Sequence, residues 1–158
     1  MARQQNNAAP KLQVFLADDE PVVRKGLRLL LSMEPNLSVC GEAENEQGAL
    51  EGIQKLRPHV AVVDLSFKEG DGLSLINRLR QLCPVVRILV FSMHDQVDFA
   101  TAAFAAGAHA YVIKDEGTEK VVEAIRVIMN GGCYLSERIA AKAPGLVLPN
   151  APRRGAQT

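Results

Sequence analysis

The chain has 158 residues, and its 18 lysines and arginines balance its 18 aspartates and glutamates. With a hydrophobic content of 47%, this is typical of one globular domain with a sizeable core. The balanced charge argues against a broad surface for nucleic acid or membrane, and no apolar stretch reaches the roughly 18 residues of a membrane span. The three cysteines are odd in number and far apart, which argues against a disulfide framework or a Cys-x-x-Cys metal site. We therefore expect a cytoplasmic protein.

Short apolar runs alternate with helical patterns along the chain. The runs are rich in β-branched residues and predict five strands, at 12–17, 37–43, 59–65, 85–92 and 108–114. Apolar residues at helical spacing follow each run, as in the stripe of Val23, Leu27, Leu30 and Leu31. Strands that alternate with helices through short joins predict a five-stranded parallel sheet with helices on both faces.

The two ends of the chain differ from this pattern. Residues 1–11 are polar and predict a disordered N-terminal arm, and the alternation predicts one folded domain over 12–132. Residues 132–142 could extend or follow the last helix. Three prolines and no sustained period from residue 143 onward indicate a tail, so 133–158 is interpreted as a C-terminal extension or linker.

Acidic and polar residues stand where the predicted strands end. Asp18 and Asp19 follow the first strand and Asp64 lies at the end of the third, while Ser92 and Lys114 end the fourth and fifth. Ligand sites in open parallel sheets lie at the carboxyl ends of the strands, so these side chains are expected to converge. Each alone has an ordinary explanation as a helix cap, a turn residue or a solvated strand end. Together, however, they favour a ligand-binding site at this edge of the sheet.

The chemistry of such a site follows from its charges. Clustered carboxylates repel one another unless a cation neutralises them, and ligation by one or two carboxylates with retained water is typical of Mg²⁺, or of Mn²⁺. Lys114 would add a second positive charge and Ser92 a hydrogen-bond donor. Asp64 is the best candidate nucleophile for a phosphoryl group, because it stands alone on a central strand predicted to be buried and the loop after it carries Gly70 and Gly72, which let the backbone turn sharply.

Four segments carry a family resemblance when they are taken together in this order. They are LADDEP (16–21), VVDLSFKEGDG (62–72), VFSMHD (90–95) and GAHAYVIK (107–114). With this set the chain, from Gln13 to about Cys133, resembles the receiver domain of bacterial two-component response regulators. FSMHD and the later GGCYLSERI are most similar to the NarL/FixJ-like (LuxR-type) subfamily. The resemblance implies a (βα)5, doubly wound, flavodoxin-like fold.

The resemblance also implies roles for the acidic residues. Asp64 would be the phosphorylated residue and a metal ligand. Asp19 would bind Mg²⁺ directly, Asp18 would act through a water molecule, and the backbone carbonyl of Ser66 would complete the ligands from the protein. Glu20 receives no role from the pattern.

Further roles concern the phosphoryl group and the response to it. Lys114 and Ser92 would contact phosphate oxygens, and Tyr111 would turn inward as the surface around the fourth helix shifts. Two departures from the family pattern stand out. Met93 replaces a small residue and is expected to modulate access to the site, and Asp115 follows Lys114 where many receivers have a cis proline.

The implied partners are a sensor histidine kinase and a second copy of the chain on phosphorylation. DNA would be contacted only through an effector domain, and the sequence shows no helix-turn-helix unit after the receiver, so a fragment of a regulator and a stand-alone receiver acting through protein contacts both remain open. We expect no enzyme beyond self-phosphorylation from small phosphodonors and self-dephosphorylation. An aspartyl-phosphate phosphatase is the less favoured alternative, because Ser66 occupies the position of that class's general acid.

Overall fold

The computed structural model describes residues 10–146 and residue 148. Its strands are β1 (Leu12–Ala17), β2 (Leu37–Ala43), β3 (Val60–Val63), β4 (Arg87–Ser92), β5 (Ala110–Ile113) and β6 (Tyr134–Leu135). They form one parallel sheet in the order β2-β1-β3-β4-β5-β6. Residues 1–9 of the predicted arm and most of the tail after 143 lie outside the described residues.

The helices follow the strands in strict alternation. They are α1 (Pro21–Ser32), α2 (Glu46–Leu56), α3 (Gly72–Leu82), α4 (Val97–Ala106), α5 (Glu119–Met129) and α6 (Glu137–Lys142). A single 3₁₀ turn, Lys114–Glu116, follows β5. None of the helices in the described residues is long and apolar enough to cross a lipid bilayer. The expected parallel α/β fold with helices around the sheet is confirmed.

The sheet separates two hydrophobic cores. Successive side chains of a strand point to opposite faces, so Val14 and Leu16 pack with α1 and α5, whereas Phe15 and Ala17 pack with α2, α3 and α4. All four side chains are at most 2% exposed. Burial of each large side chain contributes about 2 kcal/mol to the stability of the fold. These two cores hold the strands in register and so align their carboxyl ends.

A proline and two capping side chains allow helices α1, α2 and α3 to begin close to the ends of the preceding strands. Pro21 occupies the first turn of α1, where its missing N–H would have no partner in any case. The side chains of Asn45 and Asp71 cap α2 and α3 by accepting hydrogen bonds from the N–H groups of Gly48 (2.7 Å) and Leu73 (3.1 Å). The connections at this edge of the sheet therefore stay short, and the residues on them are held by the flanking elements.

The sheet has six strands where the sequence predicts five. Tyr134 and Leu135 pair in parallel with Ala110 and Tyr111 of β5 and extend the sheet by one short edge strand. Two residues are too few to show a strand pattern, and their pairing depends on the exposed edge of β5 that only the folded sheet provides. Ordered structure thus continues past residue 132.

Helix α6 is attached to the sheet and to the loop after β4. Ser136, which is fully buried, donates its backbone N–H to Tyr111 (2.9 Å) and accepts from the N–H of Ile113 through its Oγ (2.8 Å). Ile139 is fully buried in the α3–α4 core. Arg138 pairs with Asp95 on the β4–α4 loop at 3.2 Å. The segment after α5 therefore belongs to the folded domain.

Candidate functional site

The order of the strands brings the predicted site residues to one edge. Asp18 follows β1 and Asp64 follows β3, and the N–H of Asp64 donates to the carbonyl of Ala17 (2.9 Å), which fixes the two strand ends side by side. Ser92 ends β4, and Lys114 follows β5 directly. β1, β3, β4 and β5 are consecutive neighbours in the sheet. The expected convergence is therefore present.

Lys114 is the centre of the charge network. Its Nζ lies 2.9 Å from Asp18 Oδ2, 2.9 Å from Asp64 Oδ2 and 3.2 Å from Glu20 Oε1, and its side chain is 7% exposed. Burial alone would lower the pKa of the Lys114 ammonium, but the hydrogen bonds to Asp18 and Asp64 outweigh burial and raise the pKa above its usual value. Lys114 is thus held in its charged form. The peptide bond between Lys114 and Asp115 is trans.

Asp18 and Asp64 are both nearly inaccessible, at 3% and 5% exposure. Burial raises the pKa of the Asp18 carboxyl above its ordinary value, and the hydrogen bonds from Lys114 and from the backbone N–H of Glu20 oppose that effect. Asp64 Oδ1 accepts from the N–H of Leu65 at 2.7 Å, which leaves Oδ2 to Lys114. Both carboxylates are therefore oriented by hydrogen bonds.

Four carboxylates form the acidic cluster of this site. Asp18, Asp19, Glu20 and Asp64 each offer an oxygen, and these oxygens all lie within 4.8 Å of one another. Lys114 is the one cation that forms ion pairs with the cluster in the described part of the chain. An all-oxygen donor set with this excess of negative charge fits a hard divalent cation such as Mg²⁺. Glu20, to which the sequence assigned no role, is part of the cluster.

The loop after Asp64 is hydrogen-bonded to Asp19 and returns close to the backbone of Asp64. Asp19 Oδ2 accepts from the N–H of Lys68 at 2.9 Å, so the loop after β3 is bound to the end of β1. Gly72 passes directly over the backbone of Asp64, and an added Cβ would lie 2.2 Å from the Asp64 carbonyl oxygen. Only glycine permits this close approach. Gly72 therefore allows the chain after Asp64 to turn back against the end of β3.

A cavity of about 310 Å³ opens beside Asp64. It is lined by Asp19, Glu20, Asp64, Ser66, Lys68, Ser92, Met93 and His94. Met93 is 55% exposed and lines this cavity. Ser66 faces the cavity as well, and its hydroxyl lies 2.9 Å from His94 Nε2.

Ser92, which lines the cavity, and Tyr111, which does not, both bond to the backbone of His94. Ser92 Oγ is fully buried and accepts from the His94 N–H (3.2 Å), and the Tyr111 hydroxyl donates to the His94 carbonyl (2.8 Å). Tyr111 is 0% exposed, so its ring is already inward in this structure. Burial raises the pKa of Tyr111 to about 12, although a hydrogen bond with Ser92 acts in the opposite direction. The phenol is therefore neutral and acts as a hydrogen-bond donor.

His94, like Glu20, is a residue of the site to which the sequence assigned no role. Its ring stacks on Phe99 of α4, with centroids 4.0 Å apart and planes 13° from parallel. Through its ring and its backbone it contacts Ser66, Ser92 and Tyr111. The sequence feature that could have identified His94 is its position two residues after Ser92 in FSMHD, where only Ser92 and Met93 were assigned roles.

Comparison with known proteins agrees with this geometry. A family model described as the response regulator receiver domain matches residues 14–126. The transcriptional regulatory protein DegU of Brevibacillus brevis is 30% identical over 129 residues, which cover 82% of this chain and 55% of that protein. The nitrate/nitrite response regulator protein NarL of Escherichia coli is 32% identical over 126 residues, which cover 80% of this chain and 58% of that protein. The chain thus spans just over half the length of these relatives.

Solved structures show the same fold. A two-component response regulator of the LuxR family from Aurantimonas sp. superposes with a TM-score of 0.81 at 34% identity, covering 85% of this chain and 96% of that one. The isolated receiver domain of RcsB from Salmonella enterica, solved with the phosphomimetic BeF₃⁻, gives a TM-score of 0.77 at 27% identity, covering 83% and 97%. The chain therefore belongs to the response regulator receiver domain family, and it contains the receiver domain of a two-component response regulator of the LuxR/NarL type.

Proposed function

We propose that Asp64 accepts a phosphoryl group in a reaction that depends on Mg²⁺, and that this modification switches an output. The observation that supports this most directly is the shared contact of Lys114 with Asp18 and Asp64 beside a cluster of four carboxylates. A buried carboxylate flanked by a fixed ammonium and a candidate cation site is the arrangement that phosphoryl transfer needs, because charge neutralisation and positioning do most of the catalytic work.

The transfer itself uses the Asp64 carboxylate as the nucleophile. An Asp64 oxygen forms a bond to phosphorus while the bond from phosphorus to the leaving group breaks, and the leaving group takes the bonding electrons. The donor is a phosphohistidine of a sensor kinase or a small acyl phosphate, so the leaving atom is an imidazole nitrogen or a carboxylate oxygen. We propose that hydrolysis of the resulting acyl phosphate is the one further reaction that the domain carries out.

The acidic residues divide the work of holding Mg²⁺ or Mn²⁺. Asp19 and Asp64 would bind it directly, Asp18 through a water molecule, and Ser66 through its carbonyl. The bound cation would neutralise charge on the transferring phosphoryl group. The exposure of Asp19, which is greater than that of Asp18, supports the direct role.

Lys114 and Ser92 would hold the phosphoryl oxygens once Asp64 is modified. Lys114 already contacts Asp64 Oδ2 (2.9 Å), and Ser92 lines the same cavity. Ser92 Oγ now accepts from His94, so its turn toward a phosphoryl oxygen would alter the hydrogen bonds that link His94 and Tyr111. The switch is a shift in population between these two arrangements, and it is limited by the difference in their contact energies.

The output we propose is control of transcription. DegU is named as a transcriptional regulatory protein, and an RcsB structure of the same fold contains DNA. Phosphorylation would promote pairing of two receivers, and DNA would be contacted by an effector domain outside residues 1–158. A stand-alone receiver that acts by protein contacts is the other candidate, and the neutral net charge of the chain is compatible with it.

The test is phosphorylation with a small acyl phosphate in the presence of Mg²⁺. We expect mass spectrometry to show one added phosphoryl group, stable in acid and labile in base, that is absent in Asp64→Asn. Asp115→Asn removes an exposed carboxylate near the same edge and is the matched control, which should label normally. Labelling that persists in Asp64→Asn would refute the assignment.

A further inference from the structure

A second polar cavity lies at the opposite edge of the sheet, where β4 and β5 begin. It has a volume of about 340 Å³ and is lined by Arg80, Pro84, Val85, Arg87, His109, Gly131 and Gly132. Two of these residues are cationic, and none carries a carboxylate. The cavity is therefore positively charged, in contrast to the acidic site around Asp64.

The two arginines have unused hydrogen-bonding capacity. Arg80 donates to the carbonyl of Pro84 (3.2 Å), and Arg87 makes only a long contact with the carbonyl of Ile128 (3.5 Å). Both side chains are half-buried, and within the described residues neither forms an ion pair. A guanidinium has five N–H donors, so each keeps most of them available. Partly desolvated cations without a counter-charge favour an anionic ligand.

His109 provides a third group of defined polarity. Its Nδ1 accepts from the N–H of Ile88 (3.0 Å), so in the neutral ring Nε2 carries the hydrogen. Burial lowers the pKa of His109 to about 4, and the charges of Arg80 and Arg87 act in the same direction. His109 is therefore neutral at physiological pH and can donate one hydrogen bond. An added Cβ on Gly131 would meet nothing within 4 Å, which keeps that side of the cavity open.

A larger cavity of mixed lining adjoins this one, with Leu82, Val86 and Met129 beside polar residues such as Gln54, Arg57 and His59. It has a volume of about 550 Å³ and shares Pro84, Val85 and Arg87 with the cationic cavity. Leu82 and Val85 line it and are 54% and 86% exposed, so they offer apolar surface to a ligand. A cationic cavity that continues into apolar surface at Leu82 and Val85 matches a ligand with one anionic end and one apolar end.

We propose that this edge of the domain binds an organic phosphate monoester, with the phosphoryl group between Arg80 and Arg87 and the apolar group in the adjoining cavity. Two guanidinium charges match the dianion of a monoester, and their planar donor arrays suit its oxygens. Nε2 of His109 supplies a neutral donor. The proposed site is separate from the Asp64 cavity, because the two lie at opposite ends of the same strands.

The experiment uses 1-naphthyl phosphate and the 158-residue chain without Mg²⁺, followed by titration calorimetry and by amide chemical shifts. We expect saturable binding with the largest shifts at Val85, His109, Gly131 and Gly132. Arg80→Gln and Arg87→Gln should each weaken binding by about tenfold or more, since a hydrogen bond to a charged group is worth about 1.5–3 kcal/mol. Arg28→Gln, which removes a surface arginine paired with Glu42, is the matched control and should leave binding unchanged.

Two further probes separate the parts of the ligand. Inorganic phosphate should bind more weakly, because it lacks the apolar group, and 1-naphthol should bind more weakly, because it lacks the charge. Binding of the monoester should also raise the pKa of His109 in an NMR titration, since a nearby anion favours the charged ring. The proposal is overturned if no saturable binding occurs, if both arginine variants bind like the wild type, or if the shifts centre on Asp64 and Lys114.

Discussion

Acidification should lower the free energy of unfolding, and the contribution of His109 by itself should be large enough to measure. The ring is 6% exposed and accepts a backbone hydrogen bond, which a doubly protonated ring cannot do. The pKa is lowered in the folded state from the ordinary 6.5 to about 4, so the unfolded chain binds more protons between these values. The stabilisation is therefore fully present above the ordinary pKa and is lost as the pH falls toward the folded-state value.

The size of this effect follows from the two pKa values. Linkage gives a loss of about 3 kcal/mol between pH 7 and pH 4, of which about 2 kcal/mol is lost by pH 5. This is a large share of the roughly 5–15 kcal/mol that stabilises an ordinary domain. The measurement is urea unfolding at about pH 7 and about pH 5, because the midpoint and slope give the free energy of unfolding at each pH.

The variant His109→Asn isolates the contribution of the imidazole. Asparagine can still accept from the N–H of Ile88 but does not titrate, so the stability difference between wild type and variant should shrink by about 2 kcal/mol from pH 7 to pH 5. His59→Asn is the control, because His59 is exposed and its Nδ1 accepts the N–H of Gln13 at 2.9 Å. If the difference for His109→Asn is the same at both pH values, the reasoning is refuted.

Two other predictions concern the metal ligands and the last helix. Asp19→Ala should weaken Mg²⁺ binding more than Asp18→Ala does in a metal titration, because a direct ligand contributes more than one acting through water; equal losses would show that the two roles are wrongly divided. Ile139→Ala should cost about 2–5 kcal/mol of unfolding free energy, since Ile139 is fully buried. The control Arg138→Ala changes a half-exposed neighbour, and a loss as large as that of Ile139→Ala would contradict the role of core burial.

The predicted strand positions agree with the structure to within two residues at each end. The bounds of β1 and β2 coincide with the predicted runs at 12–17 and 37–43. β3 is shorter than the predicted run at 59–65. His59 bonds to Gln13 and Arg87 through its backbone but precedes the first strand residue, and Asp64 already bonds to the N–H of Leu65 in the site loop. A sequence pattern records burial, which extends beyond the last residue that pairs in the sheet.

The site could be predicted in outline, because the carboxyl ends of parallel strands meet at one edge. Asp64, Asp18 and Lys114 were recognised by this rule. Glu20 and His94 were not assigned a role, because neither ends a strand and each reaches the site through a loop or a side chain. Their positions depend on loop conformation, which local residue patterns describe poorly.

The attachment of α6 has a mechanical consequence. Ser136 is hydrogen-bonded to two residues of β5, Tyr111 and Ile113, and Ile113 directly precedes Lys114. Arg138, two residues later, is paired with Asp95, the residue after His94. The segment after α5 is therefore bonded to the two segments that carry Ser92 and Lys114. If the proposed phosphorylation displaces either segment, we expect α6 to move with it. The hydrogen bonds of Ser136 and the ion pair of Arg138, which together hold α6 in place, thus both lie next to residues of the site.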